Sequence, residues 1–168
     1  RMATRLGAES LRRAGIAVTW LDARDLLTSV DRGNGLEAAA YLSAECDAAA
    51  DPGMAARLAQ VGGVPLTQGF TARNPSGETV VLGRGGSDTA AAYFAGKLSA
   101  EHLEIWTDVP GMFTADPRVV PSARLLRQLD YREAQEIATT GSKVLHPRCI
   151  PALRERGIPI RVHSTTMP

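Results

Sequence analysis

The sequence predicts an α/β three-layer sandwich with a mostly parallel central sheet. Segments with helical spacing of apolar residues alternate with short runs of β-branched residues along the chain. Glycine-rich turns directly follow some of these runs. This alternation is typical of a parallel sheet whose two faces are covered by helices. The 168 residues are enough for one such domain and too few for two.

Local signals define the elements of the first half. Gly15 stops the first predicted helix, Asp22 caps a short one, and Gly33-Asn34-Gly35 marks a loop over 29–35. In chain order, the predicted elements are a helix over 3–14, a strand over 16–21, a short helix over 22–27, helices over 36–50 and 54–61, and a strand over 64–70.

The second half begins with a predicted hairpin, because turn residues 74–77 separate the strand over 64–70 from one over 78–82. Residues 88–98 are apolar around most of a helix, which predicts burial on several sides. The remaining predicted elements are a strand over 103–107, a turn-rich segment over 108–121, helices over 131–139 and 148–156, and a strand over 158–163.

Composition excludes several classes of protein. Nineteen basic and eighteen acidic residues leave a net charge of +1 without a like-charged block, which argues against nucleic acid as a partner. No apolar run is long enough to cross a membrane. Cys46 and Cys149 lie far apart in the sequence, which argues against a disulfide framework and a zinc site. We therefore expect the protein in the reducing cytoplasm. His102, His146 and His163 lack ligand spacing and are predicted to be structural or surface residues, so no protein-held metal is expected.

The most informative segment is Leu-Gly-Arg-Gly-Gly-Ser-Asp at 82–88, where a strand ends, three glycines turn the chain and a helix begins. Glycines let main-chain amides approach an anion, and a helix start adds positive potential. Arg84 can bind a carboxylate, and Asp88 can accept from an ammonium group or a lysine, which together suit an amino-acid substrate. The competing interpretation is a tight βα turn without a ligand, which would need neither residue.

Three better-known glycine motifs fit this segment less well. A Walker-type loop needs Gly-Lys-Ser/Thr, and this loop has no lysine. In a dinucleotide fingerprint, Asp88 would stand at the third glycine and repel pyrophosphate. Ser87, Asp108 and His163 follow the chain order of an α/β-hydrolase triad, but the elbow lacks its second glycine and the oxyanion would form beside the Asp88 carboxylate.

Two further segments carry polar groups. A predicted strand opens at Thr107 and Asp108 into a loop that runs to Arg118, and polar side chains at the carboxyl edge of a sheet indicate a nucleotide pocket. Lys143 follows the glycine that ends a predicted helix, from where a lysine can reach a phosphate. Taken alone, such a lysine is more often solvated.

Together, LGRGGSD at 82–88, WTDVPGMFTADPR at 106–118 and KVLHP at 143–147 resemble the aspartate kinases of the amino acid kinase family, from the first helix to the last strand. The resemblance implies transfer of the ATP γ-phosphoryl group to the side-chain carboxylate of L-aspartate. The product would be 4-phospho-L-aspartate, at the entry to lysine, threonine and methionine biosynthesis. The attacking carboxylate, with a pKa of about 3.9, is already ionised at neutral pH, so no general base is needed.

The resemblance also implies a role for each site residue. Arg84 would hold an aspartate carboxylate together with the Gly85 turn, Ser87 would hydrogen-bond the substrate, and Asp88 would orient a catalytic lysine. Phe70 would wall the substrate pocket, and Lys143 would contact ATP phosphates as a second catalytic residue. Magnesium would be held by phosphate oxygens and water. The residues expected to line the nucleotide site are Thr107, Asp108, Phe113, Asp116, Arg118 and Lys143.

The sequence departs from the family pattern in two ways. The family opens with a Lys-Phe-Gly-Gly segment that supports phosphoryl transfer, and its kinase domain is commonly followed by regulatory domains; neither is found in this sequence. We therefore expect residues 1–168 to be the C-terminal two-thirds of the catalytic domain, incomplete at the N-terminus. The chain alone is expected to bind Mg-ATP weakly without turnover, and the complete protein to be a homodimer. The alternative is a non-catalytic amino-acid or nucleotide-binding module on the same scaffold.

Overall fold

The computed structural model describes residues 1–30, 37–140 and 144–166. The helices are α1 (Met2–Arg13), α2 (Glu37–Leu42), α3 (Pro52–Ala59), α4 (Gly86–Lys97), α5 (Tyr131–Thr139) and α6 (Cys149–Arg154). The strands are β1 (Val18–Leu21), β2 (Val64–Thr67), β3 (Thr71–Arg73), β4 (Thr79–Val81), β5 (Leu103–Thr107) and β6 (Ile160–Ser164).

The strands of the described residues form three two-stranded sheets, two of them parallel. β1 pairs with β2 in parallel, with Val18 opposite Val64, and β5 pairs with β6 in parallel, with Leu103 opposite Ile160. The pair β3 and β4 is the antiparallel exception. The parallel strands are connected through helices, which confirms the predicted α/β fold class.

Helix α4 lies between the two hydrophobic clusters of the domain. Ala90 and Tyr93 pack with the hairpin β3–β4 and with Cys46, whereas Ala92 and Ala95 pack with α5, α6, β5 and β6. Gly96 has no room for a side chain, because a Cβ there would lie 2.5 Å from the Ala48 carbonyl oxygen. The predicted burial of this helix on several sides is confirmed. This burial fixes the position of the glycine turn at 82–88, from which α4 begins.

Two predicted elements have different bounds in the structure. The helix predicted over 36–50 ends at Leu42, because the residues that follow bond to β4 and to the segment that follows the Asp22 turn after β1: Ala44 N–H donates to Val81 O, and Val30 N–H donates to Glu45 O. The predicted loop over 29–35 falls largely outside the described residues.

The strand predicted over 64–70 ends at Thr67, and the hairpin starts only at Thr71. The break comes at Phe70, which has a φ of +71° and therefore cannot continue a strand. Sequence patterns do not reveal such a backbone conformation, because it is stabilised by tertiary contacts.

The ends of β1 and β2 lie close together and lead to the start of α4. Asp22, after β1, accepts a hydrogen bond of 2.6 Å from Nε2 of Gln68, after β2. Two residues further on, the ring of Phe70 lies against Gly86 at the start of α4. Leu103 and Ile105 of β5 pack against the hydrophobic cluster that contains Ala92 and Ala95 of α4. None of the described helices is long and apolar enough to span a bilayer.

Candidate active site

The glycine turn joins β4 directly to α4. Gly83 and Gly85 have φ values of +73° and +67°, which side chains rarely adopt. The Gly86 N–H closes the turn on Gly83 O at 3.0 Å, and the Thr89 hydroxyl donates to Gly85 O at 3.0 Å. No side chain caps the start of α4. The turn therefore presents main-chain N–H groups and the positive end of a helix dipole, as an anion site requires.

Two aromatic rings hold consecutive glycines of this turn. A Cβ on Gly85 would lie 2.1 Å from Cγ of His146, and a Cβ on Gly86 would lie 2.6 Å from Cδ2 of Phe70. The backbone of the turn is thus packed tightly against both rings. On the same side, Gly69 lies so close to Ser87 that an added Cβ would be 3.0 Å from its Cα. The turn is fixed by packing as well as by its own hydrogen bonds.

Three side chains of the turn are available for chemistry. Arg84 and Ser87 are exposed, and Asp88 is half-buried in the first turn of α4. Oδ2 of Asp88 accepts a hydrogen bond from the main-chain N–H of His146 at 3.3 Å. A guanidinium group and a partly shielded carboxylate therefore lie four residues apart at one uncapped helix start.

His146 belongs to this site although the sequence predicts a structural or surface residue. Its imidazole is half-buried against Gly85, and burial lowers its pKa below the usual value. The charges of Arg148 and Arg84 lower the pKa further, whereas the charge of Asp88 opposes them. The sequence feature that points to His146 is its position in the segment KVLHP, three residues after Lys143. Lys143 itself lies outside the described residues.

The second group of predicted residues lies beyond the end of β5. The Thr107 hydroxyl donates to Oδ1 of Asp108 at 3.1 Å, and Thr107 O accepts from the N–H of Thr165 at 2.8 Å. The latter bond joins the ends of β5 and β6. Asp108 is exposed and Thr107 half-buried. Their polar groups thus face outward at the carboxyl edge of a parallel pair.

Asp116 and Arg118 form a bidentate ion pair in the loop after β5. Nη2 and Nε of Arg118 lie 2.9 Å and 3.1 Å from the two carboxylate oxygens, and these hydrogen bonds raise the pKa of Arg118 above its usual value. Phe113, half-buried, pairs with Leu125 through an isolated β-bridge. The loop is therefore braced by its own residues.

The predicted site residues form two groups in the structure. Phe70, Gly85, Ser87 and Asp88 share the glycine turn and its packing partners, with Arg84 beside them. The residues after β5 form the second group, which lies beyond the carboxyl end of the β5–β6 pair. A separate cavity of about 830 Å³ against β6 is lined by none of the predicted site residues that the structure describes.

Known proteins resemble the chain over its whole length. The profile of the amino acid kinase family matches residues 1–164. Lysine-sensitive aspartokinase 3 of Escherichia coli K12 is 42% identical over 173 aligned residues, which cover 99% of this chain and 36% of that protein. The bifunctional aspartokinase/homoserine dehydrogenase of Haemophilus influenzae is 53% identical over 62% of this chain and 13% of its own length.

Solved structures show the same likeness. E. coli aspartokinase III in complex with aspartate and ADP, in its R-state, superimposes with a TM-score of 0.83 at 38% identity, over 98% of this chain and 36% of that one. UMP kinase from Bacillus anthracis shares the fold alone, with a TM-score of 0.58 at 16% identity. The chain spans about a third of the length of the E. coli relative. The turn geometry, the paired parallel strands and these matches together assign the chain to the amino acid kinase family.

Proposed function

We propose that the chain is part of an aspartate kinase, which transfers the ATP γ-phosphoryl group to the side-chain carboxylate of L-aspartate. The observation that carries this proposal is the uncapped start of α4, where the exposed Arg84 lies beside an Asp88 held by His146. An amino-acid substrate carries both carboxylate and ammonium groups. In this turn, the Arg84 guanidinium can donate two hydrogen bonds to the carboxylate, and the Asp88 carboxylate can accept from the ammonium group.

The chemistry asks the protein mainly for positioning and charge neutralisation. The β-carboxylate of aspartate is ionised at neutral pH and attacks the γ-phosphorus directly, while ADP leaves with the bond electrons. Arg84 would hold a substrate carboxylate, and Ser87 would donate to it. Phe70 would wall the pocket. Asp88, shielded on one side, would orient a lysine close to the transferred group.

The nucleotide would lie at the end of β5. Thr107 and Asp108 provide polar groups at the carboxyl edge, and Phe113 provides an apolar surface. The Asp116 carboxylate occupies the Nε/Nη2 edge of the Arg118 guanidinium, so a phosphate would bind the remaining N–H groups or displace Asp116. Lys143 remains a predicted phosphate ligand from the sequence.

Magnesium fits this arrangement as an ion held through the nucleotide. Within the described residues, no group of three or more His, Cys, Asp or Glu side chains could enclose a metal. Mg²⁺ usually keeps several waters and binds through phosphate oxygens with one or two carboxylates, for which the exposed Asp108 is available. When bound, it would neutralise charge on the transferred phosphoryl group.

A solved structure of a relative supports the proposed substrates. E. coli aspartokinase III has been solved with aspartate and ADP, and it covers nearly all of this chain. We further propose that the product, 4-phospho-L-aspartate, enters lysine, threonine and methionine biosynthesis in the cytoplasm. Additional domains belong to the same proposal, which the longer bifunctional relative supports, and so does a homodimer.

A chimeric enzyme tests the activity. This chain would replace the matching segment of E. coli aspartokinase 3, and ADP formation would be measured with Mg-ATP in the presence and absence of L-aspartate. Aspartate-dependent ADP formation is the expected result. The 168-residue chain alone would be titrated with Mg-ATP and with L-aspartate by calorimetry. Ligand binding by the chain, combined with a folded but inactive chimeric enzyme, would overturn the kinase proposal in favour of a non-catalytic binding module.

A further inference from the structure

Arg148 connects three segments of the chain at the back of the glycine turn. Its Nη1 donates to Leu82 O at 2.7 Å and to the Ser43 hydroxyl at 3.1 Å. Its Nη2 donates to Ala44 O at 3.2 Å and lies 3.9 Å from the Glu45 carboxylate. Leu82 is the last residue before the turn. The guanidinium therefore anchors the turn at its first carbonyl.

His146 holds the other end of the same turn. Its ring packs on Gly85, and its main-chain N–H donates to Asp88. The ring is itself held in place, because Nδ1 accepts a hydrogen bond of 3.3 Å from the main-chain N–H of Arg148. A nitrogen that accepts this bond carries no proton, so the neutral ring has its proton on Nε2. The two residues thus form one connected unit.

We propose that His146 and Arg148 are positioning residues that hold the turn at 82–88 in the geometry that binds the amino-acid substrate. Neither acts on the reacting atoms: Arg148 acts through Leu82, and His146 acts through Gly85 and Asp88. The effect on aspartate binding rests on the proposed function. The effect on the turn itself does not.

The geometry also makes the turn sensitive to acid. Protonation of His146 places a hydrogen on Nδ1, which can then no longer accept from Arg148 N–H. The charged groups near the ring are Asp88 from α4, Arg84 from the turn and Arg148 before α6. The buried Cys149 thiol donates to His146 O at 2.9 Å. The pKa of His146 lies below its usual value, so the ring stays neutral at neutral pH and the contact is lost as the pH falls through that lowered pKa.

The first test measures amide hydrogen exchange in the 168-residue chain and needs no ligand. Arg148→Met removes the bonds to Leu82, Ser43 and Ala44, so the amides of Gly86 and Thr89 should exchange about tenfold faster, as expected for a local opening. Arg148→Lys should restore part of the protection through a single bond. Arg154→Met, at an exposed position of α6, is the matched control and should leave both amides unchanged.

The second test measures kinetics in the chimeric enzyme. Arg148→Met should raise the aspartate KM about tenfold, which corresponds to the loss of the charge-assisted hydrogen bond to Leu82 O, the one of its three bonds that reaches the turn, and should leave the ATP KM nearly unchanged. His146→Asn keeps an acceptor where Nδ1 lies and cannot be protonated. Near neutral pH it should retain more aspartate binding than His146→Leu, and it should abolish the rise of aspartate KM in acid. His146→Leu should weaken aspartate binding at every pH, and His102→Asn is the control.

The outcomes separate this inference from the proposed function. Unchanged turn protection in Arg148→Met, or equal rises in both KM values, would overturn the positioning role. An acid-induced rise of aspartate KM that persists in His146→Asn would overturn the part assigned to His146. If the unmutated chimeric enzyme folds without aspartate-dependent activity, the proposed function fails, while hydrogen exchange still decides whether the two residues hold the turn.

Discussion

The main-chain N–H of His146 donates to Oδ2 of Asp88 at 3.3 Å, across 58 positions of the sequence. The bond joins the first turn of α4 to the segment that precedes α6. It leaves the other carboxylate oxygen of Asp88 without a described partner. The orientation of this carboxylate therefore depends on tertiary packing between α4 and the segment before α6.

The charge of Asp88 is predicted to matter for phosphoryl transfer. Asp88→Asn keeps an acceptor for the His146 N–H but removes the charge that would orient a lysine. In the chimeric enzyme we expect kcat to fall about 10²- to 10³-fold, the usual cost of one preorganised electrostatic group. The exposed Asp25 gives a matched control, Asp25→Asn. Near-normal kcat in Asp88→Asn would contradict this role.

Arg84 is predicted to act on the amino acid and not on the nucleotide. It is exposed in the turn, where a planar guanidinium can bind both oxygens of a carboxylate. Arg84→Lys keeps the charge and loses the fork, so aspartate KM should rise about tenfold with little change in ATP KM. Steady-state kinetics of the chimeric enzyme measure both values, with Arg57→Lys on the exposed side of α3 as control. Equal rises of the aspartate KM and the ATP KM in Arg84→Lys would contradict a role of Arg84 in amino-acid binding.

Sequence patterns located most elements well where their signals are local. The strand Leu103–Thr107 and the helix Tyr131–Thr139 have the predicted bounds. That helix starts at a complete capping box, in which Asp130 accepts from the Glu133 N–H and the Glu133 side chain accepts from Asp130 N–H. Sequence signals between residues within four positions of each other can be recognised without knowledge of the tertiary fold.

Features that arise from distant contacts were missed or misplaced. The helix predicted over 36–50 ends at Leu42, since Ala44 and Glu45 form main-chain hydrogen bonds with Val81 and Val30. Phe70 has a left-handed backbone that packs its ring on Gly86. The sequence predicts a structural or surface role for His146, but not its contact with Gly85, which joins residues 61 positions apart. Spacing along the chain carries no information about such pairs.

Acid is predicted to destabilise the fold through Asp22. Its buried carboxylate accepts from Arg24 Nη2 at 2.8 Å and from Gln68 Nε2 at 2.6 Å. The hydrogen bond from the Arg24 side chain is the main cause that holds the pKa of Asp22 well below its ordinary value of 3.8. Because the folded-state pKa is the lower one, the stabilisation is present above about pH 4 and is lost as the pH falls toward the folded-state value.

Urea unfolding at a series of pH values measures this effect. The urea concentration at the unfolding midpoint of the unmutated chain should decline as the pH falls below about 4. Asp22→Asn should be less stable at neutral pH and should decline less steeply in acid, since it has no carboxylate to protonate. Asp25→Asn should keep the steep decline. The same steep decline in Asp22→Asn would show that other carboxylates determine acid stability.

The last prediction concerns Gly85, whose conformation and close packing can be separated by a matched glycine. Gly85 has a φ of +67° and Gly157 a φ of +66°, but a Cβ on Gly157 would meet nothing within 4 Å. Gly157→Ala should therefore cost only the backbone strain, about 1–2 kcal/mol of unfolding free energy. Gly85→Ala carries the same strain and also forces its methyl group against the His146 ring. The nearest ring atom would be 2.1 Å away, close to the ring's own attachment point, so a simple rotation cannot relieve the contact. We expect a further cost of about 1–3 kcal/mol from overpacking, measured by urea unfolding of the 168-residue chain.

The Gly85→Ala substitution should also weaken L-aspartate binding by the chimeric enzyme, which Gly157→Ala should leave intact. Equal losses of stability in the two variants would mean that the His146 ring moves aside freely, and it would remove the packing argument for a fixed turn.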